Sequence, residues 1–132
     1  MATNIAGQTI TGNAAPTDSP KTKVGRIVFD ATAIVATDFV VITLGSTPKY
    51  VRWENLTDRI RNEWFEGMAA DSALNTVAAG TRTLSITSTN GGITVCDADG
   101  TANAAGRSFK VLQNATLGAV LASKTIAWTA LG

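Results

Sequence analysis

Twenty residues, KYVRWENLTDRIRNEWFEGM from Lys49 to Met68, do most to limit what this chain can fold into. They hold two of the three tryptophans, the only tyrosine and eight charged residues, whereas the flanks are mainly Thr, Ala, Gly, Val and Ile. Charges and rings alternate through the block, as in a strand pair that buries one face and offers paired ions on the other. Setting Glu54 opposite Arg61 also sets Arg52 opposite Glu63, Val51 opposite Trp64 and Tyr50 opposite Phe65. A single register thus satisfies ions and rings together. Sliding it until Arg52 meets Arg61 places like charges face to face, at a cost of a few tenths to about 1 kcal/mol per pair. The expected unit is a hairpin with Leu56 to Arg59 as its loop.

The rest of the chain extends the β reading. VGRIVFD and DFVVITLG precede the hairpin, and TRTLSIT, ITVC, SFKVLQ and KTIAWTAL follow it, each alternating or apolar over four to eight residues between turn-forming clusters. The continuous apolar run from Phe39 to Leu44 predicts a strand covered on both faces. Asn90, Gly91 and Gly92 read as a hairpin turn. Met68 to Ala79 is the one place where Ala, Met and Leu favour a helical turn, short or absent. The expected fold is all-β, an antiparallel β-sandwich or barrel of about eight strands. With 132 residues, 45% of them apolar, a core can form without metal or disulfide staples. Residues 1–23 lack periodicity and read as an extended N-terminal arm, with residues 24–132 as the sandwich or barrel domain. About twenty extended residues reach roughly 70 Å, farther than the domain is wide, so a neighbouring subunit is the expected anchor.

Reactive chemistry has little to work with. The chain contains no histidine, which removes Ser-His-Asp and Cys-His catalysis and the commonest metal ligand. Cys96 is the only cysteine and closes an apolar strand, the setting of a small core residue. Asp97 and Asp99 in DADG begin like a calcium loop, but no glutamate closes it, and a tight turn is expected. Glu54, Glu63 and Glu66 are the only acids near rings, and each has a basic partner available in the hairpin register. Tyr50, Trp53, Trp64, Phe65 and Trp128 read mainly as core anchors. No phosphate-cradling glycine motif is present. Eleven basic residues against ten acidic ones give a net charge of +1, which offers little for counterion-driven nucleic-acid binding. Nothing resembles a signal peptide or an apolar span, so no membrane partner is expected and synthesis in a cytoplasm is. The composition therefore predicts no enzyme, no cofactor and no bound metal.

The Lys49–Met68 block with the Thr/Ser/Gly-rich strands after it resembles small structural proteins encoded among the head genes of tailed bacteriophages. The stretch GRSFKVLQNATLGAVLASKTIAWTALG from Gly106 to Gly132 resembles the close of such proteins, a phrase of the form F-x-(V/I), Asn, Leu-Ala-Ser and x-Trp-x-Ala. Together these stretches cover about half of the chain. The resemblance implies a minor capsid or decoration (cement) protein. Its partner would be the major capsid protein, its state a homotrimer or other homo-oligomer, and its place the capsid surface of the virion after synthesis in the host cytoplasm. On that reading Ile5 and Ile10 are the apolar anchors of the arm, and Tyr50, Arg52 and Arg61 are contact residues of the hairpin. The alternative is a binding module of a virion appendage (fibre, spike or tail component), with the ring-rich hairpin on a host receptor or glycan.

Overall fold

A computed structural model describes residues 8–11, 22–86 and 91–132; of residues 8–11 it describes the backbone. The described residues form ten strands: β1 (Gln8–Thr11), β2 (Thr22–Phe29), β3 (Phe39–Thr43), β4 (Tyr50–Asn55), β5 (Ile60–Phe65), β6 (Ala73–Thr76), β7 (Arg82–Ser85), β8 (Ile93–Cys96), β9 (Ser108–Leu112) and β10 (Thr125–Leu131). They form a seven-stranded sheet in the order β1-β2-β10-β4-β5-β6-β7 and a three-stranded sheet in the order β3-β9-β8. All pairings are antiparallel. The fold is an all-β sandwich, two sheets packed face to face, and not a barrel.

Alternation decides which side chains enter the core. Ile126, Trp128 and Ala130 of β10, Val51 and Trp53 of β4, Trp64 of β5, and Ile27 and Phe29 of β2 point to the inner face of the large sheet. They meet Val40, Ile42, Ile93, Val95, Phe109 and Val111 of the small sheet. Phe109 presents its edge to Trp53 and to Trp128, with ring centroids 6.1 and 5.7 Å away, a geometry that suits the ring quadrupoles. β3 is buried on both faces, as its apolar run predicts: Val40 and Ile42 enter the main core, while Phe39 and Val41 pack with Cys96 and Leu112 in a second cluster. The loop after β8 covers that cluster, and Lys110 places its ammonium 4.7 Å from the Phe39 ring centroid.

The hairpin has the expected register, from Tyr50 opposite Phe65 to Glu54 opposite Arg61, with Leu56 to Arg59 as its loop. Asn55 ties the loop by accepting from the Asp58 amide at 3.0 Å, and Arg59 takes a left-handed φ of 59°. Other expectations give way. Met68 to Ala79, where a helical turn is expected short or absent, has no helix and instead contains a strand, β6, because pairing with β5 and β7 outweighs the weak helix preference of Ala and Leu. Gly91 and Gly92 do not join a β7–β8 hairpin, because β7 and β8 belong to different sheets; Asn90 of the expected turn lies outside the described residues. Gly92, at φ 151°, lies so close to the Asp71 backbone that an added Cβ would sit 2.3 Å from its carbonyl carbon.

The arm also differs from expectation. Gln8–Thr11 pairs with β2 of the same chain, with Ile10 opposite Ile27, and so extends the large sheet itself. β2 starts at Thr22, so the expected boundary after residue 23 falls inside a strand; Lys23 is buried and donates to Ser46 Oγ at 3.0 Å. Ile5 lies outside the described residues.

Candidate functional site

The small sheet covers one face of the large sheet, and no described residue covers the other, the open face. On the open face the strand registers align side chains into rows. One row runs Arg26, Ala127, Glu54, Arg61, Thr76, Arg82 from β2 to β7. The next runs Val24, Thr129, Arg52, Glu63, Leu74, Leu84, and a third sets Leu131, Tyr50 and Phe65 side by side. Strands lie about 4.8 Å apart, so Arg26 and Arg82 are separated by roughly 24 Å across the sheet. Three of the residues singled out from the sequence, Tyr50, Arg52 and Arg61, are brought together here. Ile10 is at the far edge of the sheet in β1.

The charges form a network different in part from the one expected. Glu54 Oε1 forms ion pairs with Arg61 Nε at 3.4 Å and Arg52 Nε at 3.7 Å. Glu63 does not pair with Arg52, although the two are opposite in register. Its carboxylate instead takes the Tyr50 hydroxyl at 2.6 Å and Arg82, from two strands away, at 3.2 Å. Burial and then the Glu63 hydrogen bond and charge push the Tyr50 phenol up to about 12. Glu66 makes no ion pair with a described residue; in this it departs from the expected pairing. Arginine donors thus outnumber the carboxylates that serve them, four guanidiniums to two acids on this face.

Apolar groups surround the network. Val24 is 63% exposed, Leu84 55% and Phe65 42%, and the Tyr50 and Phe65 rings lie 4.9 Å apart, tilted by 51°. The aromatics expected in the core therefore divide: Trp53, Trp64 and Trp128 are buried, but Tyr50 and Phe65 belong to the open face.

A second concavity, a cleft of about 460 Å³ at one end of the sandwich, is lined by Trp64, Glu66, Met68, Thr94, Val95 and Asn103 among others. Its Thr94 hydroxyl is committed, accepting from the Asp71 amide and donating to the Asp71 carboxylate, both at 2.9 Å. Nothing in the cleft pairs a nucleophile with a base. Cys96 is buried, and desolvation pushes its thiol up to about 12, which keeps it in the unreactive form. DADG is a turn: Gly100 N–H donates to Asp97 O, and Asp99 accepts from the Thr101 amide, which holds the Asp99 carboxyl below its ordinary value. Among the described residues no three His, Cys, Asp or Glu side chains are grouped to hold a metal.

A further set of residues, missed from the sequence, secures the inner face. Asn62 and Asn75 donate to Leu117 O at 3.3 and 2.9 Å, Asn55 to Gly118 O at 3.0 Å, and Trp53 Nε1 to Ala119 O at 2.7 Å. Asn75 also donates to Asn62 Oδ1 at 2.8 Å. This amide ladder clamps the segment around a short 3₁₀ turn, Ala115–Leu117, over the part of the large sheet that the small sheet leaves bare.

The fold and this face define a two-sheet β-sandwich with one broad surface of arginines, acids and apolar side chains that no described residue covers. No family profile, curated protein or solved structure matches the chain.

Proposed function

We propose that this protein works by attachment, as a virion structural protein that binds the assembled phage capsid as a decoration (cement) protein. The observation that carries the reading is the open face of the large sheet. It is rigid, because the sandwich core and the amide ladder back it. It is also broad, spanning six strands, and mixes guanidiniums with exposed apolar side chains as specific protein interfaces do. Work of this kind needs area and not acid–base chemistry: a protein that binds the assembled shell and not its dispersed subunits stabilises the shell by mass action. The resemblance of the hairpin and the C-terminal stretch to phage head proteins supplies the class of partner.

The test is occupancy and effect on purified particles. A decoration protein is present in hundreds of copies per particle, and shells stripped of it open at a lower temperature and recover when it is added back. Presence in a few tens of copies at a fibre or spike, with adsorption to host glycan through the Tyr50–Phe65 ring pair, would establish the appendage reading instead.

A further inference from the structure

We infer that the open face recognises an acidic protein surface, one whose carboxylates meet the guanidinium row Arg26–Arg61–Arg82 and whose apolar side chains meet Val24, Phe65 and Leu84. This deepens the attachment reading and rests on it for the identity of the partner. Three of the four arginines share two glutamates, so each keeps N–H donors turned outward, and Arg26 is exposed with no ion pair among the described residues. Arginine presents its donors in a planar fork that fits carboxylates two bonds at a time, and a row of such forks favours a partner bearing acids at matching intervals.

Charge also decides against other occupants. A second copy laid face to face would oppose arginines to arginines, with only two glutamates on each side to offset them. A nucleic acid would meet Glu54 within the row and Glu63 in the row beside it and would leave the apolar groups uncovered, since phosphate binding draws on uninterrupted positive charge. The face measures roughly 24 Å by 20 Å from strand spacing and rise, a footprint at the small end of protein interfaces.

The experiment titrates the full chain with labelled poly-glutamate, and with duplex DNA of equal charge, at about 0.05 M salt. Poly-glutamate should bind in preference to DNA. Arg26→Glu should weaken it by about tenfold, Arg61→Gln less, and raising the salt to about 0.5 M should act like Arg26→Glu. Arg107→Glu makes the same charge change off this face and should leave binding unaltered. No binding, tighter binding of DNA, or an equal loss with Arg107→Glu would overturn the inference. Co-sedimentation with stripped shells separates the two proposals. If the shells bind wild type and Arg26→Glu alike but lose Phe65→Ala, attachment stands and the acidic partner is wrong. If poly-glutamate binds and the shells do not, the capsid reading is the one that fails.

Discussion

Replacing Asn75 tests the claim that the amide ladder holds the sandwich closed beyond its small sheet. Asn75 is nearly buried, and its Nδ2 donates to both Asn62 Oδ1 and Leu117 O. In Asn75→Leu, which keeps the same branched heavy-atom skeleton without its donor and acceptor, both bonds are lost. The Leu117 carbonyl keeps only the longer bond from Asn62, and Asn62 Oδ1 is stranded without its donor. Each lost bond is worth about 1 kcal/mol, and a buried orphan costs about 1–3 kcal/mol, so the change should destabilise by about 2–4 kcal/mol. With a urea slope of about 2 kcal/mol/M, the unfolding midpoint should fall by roughly 1–2 M. Asn62→Leu should cost a similar amount. Because the two share one bond, Asn62→Leu/Asn75→Leu should cost about 1 kcal/mol less than the sum of the single changes. A loss under about 1 kcal/mol for Asn75→Leu, or strict additivity, would show that the segment around Leu117 is held by apolar packing alone.

Tyr50 is the sole tyrosine, so ultraviolet absorbance follows its ionisation directly. Phenolate should appear only near pH 12, and Glu63→Gln should bring the titration back toward the ordinary value. Since the folded pKa is raised, the contribution of Tyr50 to stability is complete below pH 10 and is lost as pH climbs from 10 to about 12; a melt midpoint blind to Tyr50→Phe across that window would contradict this. Gly25→Ala should destabilise by about 1–3 kcal/mol, because a Cβ there would lie 2.5 Å from the Trp128 ring across the β2–β10 pair, and urea titration reads the loss. Cys96 should resist thiol reagents in the native protein and react stoichiometrically in urea; rapid native labelling would mean that its strand opens readily.

Legibility in the sequence followed how many independent demands fell on the same residues. The hairpin register could be read because ions and rings each chose it. The same register put Asn62 opposite Trp53 on the buried face, so an interior amide was derivable there. Its acceptors at Leu117 to Ala119 were not, because no local pattern says where a distant loop docks. β6 was obscured by Ala and Leu, whose helix preference is weaker than a place between two strands. Missing β6 hid β7 as a neighbour two strands over, and with it the Arg82 side chain that takes Glu63. The glycines Gly91 and Gly92 suggest a hairpin turn, but turn chemistry is silent about which sheet the next strand joins, and β8 joins the small one. The open face was half visible: alternation gave Tyr50, Arg52 and Arg61 a common side, while Arg26, Val24 and Leu84 came to it only through the strand order.

That order places β10, the last of the described strands, in the middle of the large sheet between β2 and β4. During synthesis β2 and β4 therefore wait with bare edges facing an empty slot until residue 131 has cleared the ribosome. The sandwich closes in one late step, and not progressively as the chain emerges. Nascent chains stalled or cleaved before that point hold two sticky strand edges and the unfilled pocket of Trp128, which makes them clients for chaperones and seeds for inclusion bodies.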